Sequence, residues 1–112
     1  MAPMRLNLIE GAVSFSFTPQ AAQDLQEALR ELVHHLKQAA SAKPGTQKPW
    51  PVLEYQYTGE IFLEVFCNPN IWPTPFAAKV LITVRDDRMR LTTEAELTRM
   101  LEDVQGYLDE LG

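Results

Sequence analysis

Two hydrophobic spacings alternate along this chain. Val13, Phe15 and Phe17 are separated by Ser14 and Ser16. That period of two places three apolar side chains on one face of a strand. Leu6 to Ile9 is a shorter apolar run before Glu10-Gly11, so one bent strand or two short ones are expected here. After Thr18 the period changes. Ala22, Leu25, Leu29, Leu32, Val33 and Leu36 recur at spacings of three and four, which is one apolar helical stripe. Thr18-Pro19 marks its start, because the hydroxyl can accept from a first-turn N–H and proline loses no bond at the first helical position. The helix is expected to fray near Ala39 to Ala42.

Period two then returns. Val52 to Thr58 and Ile61 to Cys67 predict a hairpin around Gly59-Glu60. Leu53, Tyr55 and Tyr57 share one face of its first strand. Ile61, Leu63, Val65 and Cys67 share one face of the second, with Phe62 and Phe66 on the opposite face. Lys79 to Arg85 and Arg88 to Leu91 predict another hairpin across Asp86-Asp87. The spacing of Thr93 and Glu96 is that of a capping box, so the last helix is expected to open there. Leu97, Met100, Leu101, Val104, Leu108 and Leu111 form its stripe, and Gly106 beside them is expected to permit a close backbone contact. Ser41 to Pro51 and Asn68 to Pro75 are rich in proline and read as connections.

These elements predict one α+β domain over residues 1–112: a two-layer sandwich with an antiparallel sheet of four to six strands and both helices on one face. The expected order is β(β)-α-β-β-β-β-α. At 112 residues the chain supports one core and not two. That core is expected to hold Phe15, Phe17, Leu25, Leu29, Leu32, Leu36, Tyr55, Ile61, Leu63, Val65, Val80, Ile82, Val84, Leu97, Leu101, Val104 and Leu108.

A formal charge of −5 disfavours phosphate backbones and anionic lipid as partners, so no nucleic acid is expected. The apolar runs are too short to span a bilayer, which argues against membrane insertion. Met1 to Arg5 lacks the apolar core of a secretory signal, and Cys67 is the only cysteine. Both features predict a cytoplasmic location.

Candidate chemistry is sparse. His34 and His35 are adjacent, so on a helix they point about 100° apart and cannot easily share a metal. Cys67 ends a strand with no helix N-terminus after it to activate a thiolate, and is expected to pack as a thiol. The carboxylates of the last helix resemble a solvated face. No catalytic, metal-binding or cofactor-binding residue is therefore assigned, and a non-enzyme is expected.

Trp50 and Trp72 each sit in a proline-stiffened loop, which suits either a binding anchor or a lid over the core. Arg85, Arg88 and Arg90 cluster on one hairpin. They suit either a charged strand edge that resists aggregation or recognition of an acidic group. Phe62, Phe66, Trp72, Arg85, Arg88 and Arg90 are the expected partner-binding residues. Phe62 and Phe66 need a cover, which the first helix, Trp72 or a second subunit could supply; self-association as a two-fold homodimer is expected. Two classes of function remain: a protein-binding adaptor or assembly chaperone, and a small-molecule-binding or catalytic domain with a pocket between sheet and helices.

Arg90-Leu91-Thr92-Thr93-Glu94-Ala95-Glu96-Leu97, with the acidic helix after it, resembles the tails of small soluble cyanobacterial proteins, some of which assist assembly of photosynthetic or carboxysome components. The resemblance covers the last quarter of the chain. It implies a non-catalytic assembly factor or chaperone that binds another protein, and the stiff Trp72 loop beside the Phe62 and Phe66 face is expected to receive a peptide segment of that larger protein.

Overall fold

Met4–Asn7 (β1) and Ala12–Phe15 (β2) pair antiparallel in a computed structural model that describes residues 3–41 and 49–111. The part of the first connection around Pro44-Gly45 lies outside the described residues. Gly11 turns this first hairpin with φ +85°, a conformation that side chains with a Cβ rarely adopt. Its carbonyl accepts from Leu8 N–H at 2.9 Å.

Pro19–Ser41 (α1) follows. Its start is as the Thr18-Pro19 pair predicts: Thr18 Oγ1 accepts from Ala21 N–H at 3.1 Å. Leu25, Leu29, Leu32 and Leu36 are buried along one stripe of the helix, each at 0–2% exposure.

Four strands then form an antiparallel meander: Leu53–Thr58 (β3), Phe62–Cys67 (β4), Lys79–Arg85 (β5) and Arg90–Glu96 (β6), in the spatial order β3-β4-β5-β6. Leu97–Leu111 (α2) closes the chain. The fold is α+β, in the element order expected. The strands make two sheets, since the first hairpin stands apart from the four-stranded sheet. One bond ties the hairpin's turn to the β6 edge, from Ile9 N–H to Glu94 C=O at 3.1 Å.

The expected start of the last helix is corrected. Thr93 to Glu96 are strand, and the helix begins at Leu97. Every residue of β6 pairs with β5, from Arg90 opposite Arg85 to Glu96 opposite Lys79. Seven ladder positions outweigh a local capping preference, and the β-branched Thr92 and Thr93 suit a pleated surface. Leu97 N–H instead donates to Ala78 C=O at 3.1 Å.

A cluster of buried apolar side chains lies between sheet and helices. Leu63, Val65, Val80, Ile82, Leu97, Met100 and Val104 are fully buried with the α1 leucines. Met4 and Leu6 from β1 join them at 0% exposure. Tyr55, Ile61, Leu101 and Leu108 are only half-buried against this cluster. The exposed Leu111 lies outside it, whereas Tyr107 is buried at 4% exposure.

Gly106 makes no close contact. It is exposed, and a Cβ built there meets nothing within 4 Å. Gly106→Ala is therefore expected to stabilise the protein by about 0.5–1 kcal/mol through helix propensity and a less flexible unfolded chain. An unchanged or lowered urea midpoint would contradict this.

Candidate functional site: an apolar groove on the helix side

The sheet sorts the expected site residues by parity. On its inner face lie Leu63, Val65 and Cys67, opposite Tyr57, Tyr55 and Leu53 of β3. Phe62, Glu64 and Phe66 point outward, paired with Arg85, Thr83 and Leu81 of β5. Arg90 faces Arg85 across the next ladder. The structure therefore brings Phe62, Phe66, Arg85 and Arg90 onto one face. Arg85 lies 4.4 Å over the Phe62 ring centroid, within reach of a cation–π attraction. Arg88 sits in the β5–β6 turn, where its N–H donates to Asp86 Oδ1 at 2.8 Å. That bond and a second from Met89 N–H hold the Asp86 carboxyl below its ordinary range.

Trp72 is not on this face. It is half-buried against the core, and its indole N–H bonds the Cys67 thiol on the inner face. Burial pushes that thiol up to about 11 despite the bond, so Cys67 stays protonated and unreactive near neutral pH.

Trp50 is a lid of a different kind. Its ring stacks on His35 at 4.9 Å and 19°. Its backbone is gripped by Asn70, through Trp50 N–H to Oδ1 at 2.8 Å and Nδ2 to Trp50 C=O at 2.9 Å. The two proline-rich loops are thereby fastened to each other. His34 and His35 have ring centroids 6.2 Å apart at 52°. Among the described residues, no group of three or more His, Cys, Asp or Glu side chains is placed to hold a metal.

One surface stands out that the alternation patterns do not mark. Val33 and Lys37 of α1, Leu97, Thr98 and Leu101 of α2, and Thr74, Pro75 and Phe76 of the β4–β5 loop line an open groove of about 380 Å³. Its volume is within the range of ligand pockets, about 300–1,000 Å³. Among the described residues, Lys37 is the only charged one in the lining.

The loop that forms one wall is built to hold its shape. Thr74 Oγ1 and C=O both accept from Ala77 N–H at 3.2 Å, and Pro75 C=O accepts from Ala78 N–H at 3.4 Å. This short turn places Phe76 at 82% exposure. Ile71, earlier in the same loop, is 67% exposed. The sequence carries a signal for Phe76, an aromatic directly after Pro73-Thr74-Pro75. The groove itself depends on residues far apart along the chain.

No protein-family model matches the chain, and no curated protein or solved structure matches it significantly. Among the described residues, no helix is long and apolar enough to cross a membrane.

Proposed function

We propose that this chain is a non-catalytic protein-binding module whose groove between α1, α2 and the β4–β5 loop receives an apolar segment of a larger protein. The observation that carries this is Phe76, a phenylalanine held 82% exposed on the rim of an apolar groove. A folded chain gains nothing from displaying a large aromatic to water, and contiguous exposed apolar surface marks interaction sites. Ile71 is a second exposed apolar side chain of the same loop, outside the groove lining. Lys37 favours a segment with an acidic residue beside its apolar anchor. Such a module fits an assembly factor or chaperone, the class implied by the resemblance of the C-terminal quarter.

Peptides selected from a random displayed library on the purified chain test this reading. The expected consensus pairs apolar residues with an acidic one. Phe76→Asp is expected to weaken their binding by about 30-fold or more, as for an interface hot spot. Because Phe76 is mostly exposed, the variant should keep the parent's circular dichroism. Failure to select binders, or binders indifferent to Phe76→Asp, would overturn the reading.

A further inference from the structure

The outer face of the four-stranded sheet carries four short rows across the strands. Register places Thr58, Phe62, Arg85 and Arg90 in the first row, and Gln56, Glu64, Thr83 and Thr92 in the second. Glu54, Phe66, Leu81 and Glu94 make the third, and Lys79 with Glu96 the fourth. Both helices pack on the other face, whose residues form the core. Phe62 and Phe66 are half-buried, and Leu81 is 43% exposed.

Two features of this face are unfavourable in an isolated chain. Arg85 and Arg90 stand directly opposite each other, and like charges at such positions are destabilising. Among the described residues, the ion pairs are His35–Glu31 and Arg99–Asp103, so neither arginine has a carboxylate within 4.0 Å. The Phe62 ring offsets this in part at Arg85, and the rule still broken at Arg90 points to a functional constraint.

The face is also electrically polarised along β6. Arg90 lies at one end and Glu94 and Glu96 at the other, with Arg90 and Glu94 separated by about 13 Å at an extended rise. A surface of this kind is complementary to itself when turned around.

We propose that a second copy of this chain packs on this face through a two-fold axis lying between the sheets and crossing the strands at the Thr83 row. Each β6 then runs opposite to β6 of the other copy. Arg90 of each copy faces Glu94 of the other, and Phe62 of each faces Phe66 of the other. Leu81 covers the aliphatic stem of the facing Arg85. Glu64 lies in the axial row and faces Glu64 of the other copy, the like-charged contact of this arrangement, each carboxylate keeping its hydrogen bond from Gln56 Nε2 at 2.9 Å. Sheets packed face to face in near alignment are a common arrangement, and a two-fold is the commonest closed symmetry. This proposal does not depend on the groove, which opens on the helix side.

Sedimentation velocity on the purified chain, from micromolar to millimolar concentration, is the test. The mass is expected to rise from 12.7 kDa toward twice that value. Arg90→Glu and Glu94→Arg, each alone, should weaken association by about 10-fold or more, because each sets like charges across the interface twice. The R90E/E94R double variant should restore it. Arg90→Glu also places opposite charges across β5 and β6, so it should melt no lower than the parent while associating less. A chain that stays monomeric throughout overturns the proposal. So does a dimer that ignores both single variants, or one that the double variant fails to restore. A dimer lost on Phe76→Asp but not on Arg90→Glu would place self-association at the groove instead.

Discussion

Phe17→Ala is expected to cost about 3–5 kcal/mol, at the upper end for a single core truncation. Phe17 is 1% exposed and sits where three parts of the chain meet. Its ring makes edge contacts with Phe15 at 5.5 Å and Tyr57 at 4.9 Å, and a tilted contact with Tyr107 at 6.1 Å. It thereby joins the β2–α1 connection, the β3 strand and α2. Its own carbonyl accepts from Tyr107 O–H at 3.0 Å. Removing the ring leaves a cavity beside two tyrosines that cannot collapse into it without moving a strand or a helix. Against a total of about 5–15 kcal/mol for an ordinary domain, this is a large fraction. Urea titrations of Phe17→Ala, Met100→Ala and Leu101→Ala give the comparison. Met100 is fully buried and Leu101 half-buried, so the losses should fall in that order. A Phe17→Ala loss no larger than that of Leu101→Ala would show that the aromatic junction does not hold the elements together.

Alternation is enough to place most of the strands. The β5 span Lys79–Arg85 agrees with the sequence pattern at both ends, because Val80, Ile82 and Val84 are unbroken by any competing local signal. The α1 stripe is equally readable, since four leucines share one face and Thr18-Pro19 punctuates its start. The beginning of α2 is not. Thr93 and Glu96 have the spacing of a capping box, but the same four residues also extend a strand along β5. Only the tertiary pairing decides between them.

Site residues divide on the same principle. Parity along β4 is a property of the sequence, and it separates Phe62 and Phe66 from Cys67. It cannot say that the chain after Cys67 folds back to bring Trp72 against that thiol. Trp72 thus covers the inner side, while the two phenylalanines remain on the outer. The groove is illegible for a stronger reason. Val33, Phe76 and Leu97 come from a helix, a loop and a second helix, and their proximity is a result of packing. A sequence period reports only which residues share one element.

Alkaline pH is expected to destabilise this protein progressively between about pH 9 and about pH 12. Burial raises Cys67 from an ordinary value of 9.0 to about 11, against the opposing bond from Trp72. Tyr55 is raised from 10.0 to about 12, first by burial and then by the charges of Asp24 and Tyr57. Tyr107 is raised as well, by burial and then by Tyr57. Each folded group therefore holds its proton to a higher pH than it does in the unfolded chain. Above about pH 9 the unfolded state binds fewer protons than the folded state, so stability falls as pH rises. The contribution is whole below the unfolded values and is lost as pH passes through the folded ones.

Two of these groups also hold elements together. Tyr55 O–H donates to Ala21 C=O at 3.0 Å, fastening β3 to α1. Tyr107 O–H fastens α2 to Phe17. A phenolate cannot donate, so ionisation removes the bond and leaves a charge partly out of water. Urea midpoints measured at intervals upward from about pH 8 should therefore fall continuously. Cys67 should resist alkylation until the same range. The Tyr55→Phe/Tyr107→Phe double variant starts less stable, because two carbonyls lose their donors, but its midpoint should fall less steeply above about pH 10. A parent midpoint that stays level across this range would mean that neither the tyrosines nor the thiol are held in their protonated forms by the fold.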